Sequence, residues 1–159
     1  MKKILLSALL FSCASFGVNA AELSGAIGAT SQGGLTARVG MGFGWDKSWF
    51  ESSTGRLTGY WDAGYTYWEA GDASGGAHSL SFAPVFVYEF GSGNVKPFVE
   101  AGIDQEFGSA FNFEDRIGAG LKIGETQKVG VRATHYSNAG IKQPNEGIES
   151  YSLFYSHQI

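Results

Sequence analysis

The chain has 159 residues with a formal net charge of −4, 24 glycines, 12 phenylalanines, 7 tyrosines and 4 tryptophans against only 3 prolines and 1 cysteine. There is no basic patch to neutralise phosphates, so a nucleic-acid partner is excluded. Beyond the first twenty residues no apolar run approaches the ~18 residues of a membrane helix, so a membrane location requires a closed β-barrel.

The amino terminus reads as a secretory signal over residues 1–20. It has a basic start (Lys2, Lys3), an apolar stretch from Ile4 to Phe11, and small residues ending in Val18-Asn19-Ala20, with cleavage expected after Ala20. Cys13 falls inside it; a lipoprotein site at Leu10-Phe11-Ser12-Cys13 fits less well, because Phe11 is bulky for its position. The mature chain then has no disulfide, although it enters an oxidising compartment. Removing Lys2 and Lys3 leaves 9 basic residues against 15 acidic ones.

Residues 21–159 read as one domain of short strands. Ser24 to Gln32 and Leu35 to Trp45 form a first hairpin across Gly33-Gly34, whose glycines supply the positive φ of a tight turn. Trp45 to Gly55 breaks the alternation and reads as a connector or short helix at the interface. From Leu57 to Trp68 the row Leu57, Gly59, Trp61, Ala63, Tyr65, Tyr67 opposes a more polar row containing Tyr60 and Asp62. From Leu80 the apolar row is Leu80, Phe82, Pro84, Phe86, Tyr88, Phe90, with aromatics at both ends in the manner of interfacial girdles. The next outward rows are Pro97, Val99, Ala101, Ile103 and then Phe111, Phe113, Asp115, Ile117, Ala119, Leu121, in which only Asp115 is charged.

The last two strands carry the chemistry. Val129, Val131, Ala133, His135 and Ser137 share one face, and Glu149 heads the row Tyr151, Leu153, Tyr155 of the strand that follows the Gly- and Pro-containing loop from Ala139 to Ile148. An antiparallel hairpin brings Glu149 beside His135. Ionisable groups at the end of a lipid-facing row carry a desolvation cost, which marks them as functional candidates. His135, Ser137 and Glu149 thus read as a serine-esterase triad, and Asp115 is the rival carboxylate. The bland counter-reading is a charged rim above the hydrocarbon edge, where the cost falls to about 0–1 kcal/mol.

Eight strands in 139 residues suit the smallest common membrane barrel, an all-β antiparallel fold. Its interior holds little more than side chains, so Asp62, Glu100, Glu114, Arg116 and Arg132 read as a lumen-filling charge network rather than a channel. Gly40-x-Gly42-x-Gly44 and Gly118-x-Gly120 lack the strand-to-helix setting of a nucleotide loop and read as small residues on a crowded sheet. His78 and His157 have no evident partner set. Neither a metal nor an organic cofactor is expected.

Four segments carry a resemblance: Arg132 to Tyr155 (RATHYSNAGIKQPNEGIESYSLFY), Ser53 to Glu69 (STGRLTGYWDAGYTYWE), His78 to Phe90 (HSLSFAPVFVYEF) and Phe113 to Gly120 (FEDRIGAG). Together they resemble the PagL family of outer-membrane lipid A 3-O-deacylases. The resemblance implies hydrolysis of the 3-position ester of lipid A in the outer leaflet, with release of a 3-hydroxy fatty acid. It implies a Ser-His-Glu triad on the outside of the barrel, carried here by Ser137, His135 and Glu149, with oxyanion donors at Asn138 and Gly140. Lipid A and the surrounding outer-membrane lipids are the partners this implies. The link from Asp104 to Ala110 is shorter than the surface loop expected there.

Two other classes compete with this reading. One is a non-enzymatic barrel with a structural or adhesion role, which would work through its loop tips. The other is a soluble periplasmic lipid-binding barrel, whose apolar rows would line an inner cavity. Outward aromatic rows suit a homodimer face as well as a lipid anchor.

Overall fold

The computed structural model describes residues 21–69, 76–107, 111–137 and 147–159. The signal-segment reading of residues 1–20 lies outside them. Eight antiparallel strands run in chain order as β1 (Ala21–Thr30), β2 (Leu35–Gly44), β3 (Gly55–Trp68), β4 (Ala77–Phe90), β5 (Val95–Phe107), β6 (Phe111–Ile123), β7 (Gln127–Ser137) and β8 (Ile148–Gln158). Each pairs with its neighbours, and β8 returns to β1 to close the barrel. Closure satisfies every sheet edge, which is the condition for strands to stand in hydrocarbon. Strands of 10 to 14 residues are long enough to cross it when tilted.

The period-two alternation sorts each strand into an outer and an inner row. The outer rows are apolar and exposed: Ile27, Val39, Phe86, Ile103, Ile117 and Leu153 all present their side chains outward. An apolar girdle of this extent is a lipid-facing wall. Because the apolar rows point out, the soluble barrel with an apolar inner cavity does not hold.

The lumen is packed shut. Asp62 and Arg116, each 2% exposed, meet across it, with Arg116 Nη1 donating to Asp62 Oδ2 at 2.8 Å and Nη2 donating to Glu114 Oε1 at 2.9 Å. Arg38 also donates to Asp62, and Arg132 donates to Glu100, which accepts a further bond from Tyr60 Oη at 3.0 Å. The five charged residues expected inside the barrel are therefore there. They share the lumen with an apolar plug of Ala83, Val85, Val87, Phe98 and Phe154.

Three other expectations change in detail. The first hairpin turns through residues 31–34, and of its two glycines only Gly33 takes a positive φ (83°). The Trp45 to Gly55 segment forms no helix; it folds back along the barrel, with Trp49 bridging Leu57 and the Trp45 indole packed edge-on against Phe86 at 5.0 Å. Most of the supposed link from Asp104 to Ala110 is strand, since β5 runs on to Phe107 and residues 108–110 lie outside the described residues.

Candidate active site

The candidate site is built at one end of the barrel wall, where β7 and β8 reach the long loop between them. The register pairs His135 with Glu149 on β8 and with Asp115 on β6. Directly opposed antiparallel residues lie within side-chain reach on the same face. His135 Nδ1 stands 3.3 Å from Glu149 Oε1, and both side chains are open, at 45% and 44% exposure. Ser137 follows on the same outward row at the last residue of β7, half-buried and register-paired with Phe113. Asp115 is exposed on that face too, but the carboxylate hydrogen-bonded to the imidazole is Glu149.

The inward residue between His135 and Ser137 anchors their strand. Tyr136 is buried, packed edge-on against Trp68 with ring centres 4.5 Å apart and hydrogen-bonded to Glu114. Arg116 holds Glu114 in turn, so the lumen network reaches the back of the site. A rigid wall behind a small polar set is what positioning requires.

Two contributors escaped the sequence reading. Ser31, in the β1–β2 turn, donates its backbone N–H to Glu149 O at 2.8 Å, and its hydroxyl accepts the Glu149 N–H at 3.3 Å. Gly147 passes so close to the imidazole that a Cβ there would lie 2.6 Å from His135 Cε1. Both contacts depend on strand closure and loop path, which alternation does not report. Asn138 and Gly140, the expected oxyanion donors, lie outside the described residues. His78, away from this set, meets Tyr65 Oη through its Nδ1 at 2.5 Å.

Next to His135 and Glu149 on the same rows, an open apolar groove of about 930 Å³ runs across the outer wall. Ala133, Val131, Tyr151 and Leu153 line its near side, and Ile27 and Tyr67 lie farther round the barrel. Small side chains form much of its floor, so it can take a slender apolar ligand.

A lipid-facing wall, a lumen packed shut and a polar set at the end of that wall define a membrane β-barrel enzyme rather than a channel. The comparisons narrow the class. Residues 31–158 match the model of the family described as lipid A 3-O-deacylase (PagL). The chain is 62% identical to the lipid A deacylase PagL of Pseudomonas aeruginosa over a 173-residue alignment that covers the whole of both chains. It is 30% identical to the lipid A deacylase PagL of Bordetella bronchiseptica, with 81% of this chain and 85% of that one aligned. A crystal structure of the outer membrane enzyme PagL superposes with a TM-score of 0.79 at 63% identity, covering 85% of this chain and 97% of that one. The chain belongs to the PagL family of lipid A 3-O-deacylases.

Proposed function

We propose that Ser137, His135 and Glu149 are the catalytic triad of this enzyme, with Ser137 as nucleophile. The enzyme is a lipid A 3-O-deacylase of the outer membrane, so the bond to be broken is an ester whose acyl chain stands in the outer leaflet. The observation that carries the triad is the outward-facing pair of His135 Nδ1 and Glu149 Oε1 at 3.3 Å, with Ser137 two residues along the same row. Glu149 accepts a hydrogen bond from Nδ1–H, fixing the tautomer that leaves Nε2 as the base. Residues two apart on a strand lie about 7 Å apart, a gap an imidazole ring can bridge toward a serine hydroxyl.

The steps follow. As Ser137 Oγ attacks the acyl carbon, its proton passes to His135 Nε2. Backbone donors at Asn138 and Gly140, assigned from the family resemblance, meet the oxyanion. The tetrahedral intermediate collapses, the sugar 3-oxygen leaves with the proton from His135, and the acyl group stays on Ser137. Water, deprotonated by the same imidazole, then releases the 3-hydroxy fatty acid. The apolar groove beside the site suits the acyl chain, which need not leave an apolar medium to reach the serine. We also take residues 1–20 to be a signal segment removed on export.

Mass spectrometry of lipid A incubated with purified protein tests the reading. The wild type removes one 3-hydroxyacyl chain, whereas Ser137→Ala and His135→Asn each remove none while keeping the heat-shifted gel mobility of a closed barrel. Near-wild-type deacylation by either variant would sink the assignment.

A further inference from the structure

We propose that Ser31 is a positioning residue for this site: the β1–β2 turn holds its hydroxyl against Glu149, and that contact fixes the carboxylate that orients His135. The inference rests on the triad reading above and extends it across the seam where the barrel closes.

The geometry starts from register. β1 pairs with β8 up to Thr30 and Ser150, and the ladder continues one step further, with Ser31 N donating to Glu149 O at 2.8 Å. Ser31 Oγ then accepts the Glu149 N–H at 3.3 Å. That leaves the hydroxyl proton to be donated toward the Glu149 carboxylate, whose other partner is His135. One hydroxyl is thus held at the Glu149 backbone with its proton free for the Glu149 side chain.

The turn that carries Ser31 is fixed by its own bonds. Thr30 N donates to Gly34 O at 2.8 Å, Gly33 N donates to Thr30 O at 3.1 Å, and Gly34 N donates to Thr30 Oγ1 at 3.0 Å. Gly33 supplies the positive φ that lets the chain reverse in so few residues. Glu149 needs such an anchor. It is a long side chain at an open rim, and a flexible carboxylate is a poor guide for an imidazole, since small misplacements of reacting groups carry large rate penalties.

The test is steady-state deacylation of purified lipid A in detergent micelles by the full mature chain. Ser31→Ala is expected to lower kcat about tenfold with KM changed less than about twofold. Ser31→Thr, which restores the hydroxyl, should keep most of the rate, and Ser31→Val, of the same shape without it, should match Ser31→Ala. In a Glu149→Ala background Ser31→Ala should cost nothing more, because its effect passes through that carboxylate. A kcat within about twofold of wild type for both Ser31→Ala and Ser31→Val overturns the proposal. So does an undiminished loss in the Glu149→Ala background, which would make the serine merely structural. Wild-type activity in Glu149→Ala alone overturns the triad reading itself, and is seen without any Ser31 variant.

Discussion

The inside and the outside of this barrel carry similar side chains in opposite circumstances. In the lumen, Asp62, Glu114 and Arg116 are almost fully buried and tied to one another by short charge-assisted bonds. On the wall, His135 and Glu149 share one longer contact and stay open to whatever surrounds the barrel. The comparison teaches that charge density is a poor guide to chemistry in a small barrel. Buried ions paired with one another hold strands in register, and removing one partner is costly. Reactive groups need access to substrate, and among the described residues the His135–Glu149 pair on the wall has it.

The sharpest break in this comparison is between the two carboxylates that flank His135. Glu149→Ala should lower deacylation about 10³–10⁴-fold, the scale on which the acid of a triad matters, while Asp115→Ala should cost less than about tenfold. Rates measured on lipid A for the two variants side by side decide it, and a larger loss from Asp115 overturns the choice of Glu149. Inside the barrel the expected effect is on stability alone. Arg132→Met takes from Glu100 its guanidinium partner and should cost about 3–5 kcal/mol in urea unfolding, with activity per folded molecule within about twofold of wild type. A large loss of activity in the folded fraction would mean that lumen and wall are not separable. The smallest effect is expected at Gly147. A methyl group there presses on the His135 ring, so Gly147→Ala should slow turnover about tenfold with the barrel intact, and an unchanged kcat would show that the loop simply moves aside.

Much of this was legible in the residues because a membrane barrel writes its two environments into alternate positions. The rows ending in His135 and Ser137, and beginning at Glu149, stand on the wall as their parity requires. The same parity placed Asp62, Glu100, Glu114, Arg116 and Arg132 inside. The end of β5 was lost because Asp104 to Glu106 is polar in both rows, and strands that rise above hydrocarbon have no apolar row to betray them. Trp45 and Trp49 fold back on the wall through aromatic contacts between neighbours in space, which no period encodes. Ser31 was invisible for a related reason. Its contact with Glu149 spans 118 residues and exists only once β1 and β8 meet in one particular register.

The central claim, that the chemistry sits on the outer wall at Ser137, is tested most directly by covalent capture. Purified protein treated with a phosphonate ester that reacts with activated serines, then digested and mapped by mass spectrometry, should carry a single adduct on Ser137. His135→Asn should abolish that adduct. An enzyme fully inactivated by the reagent with its adduct elsewhere, and Ser137 unmodified, would contradict the account.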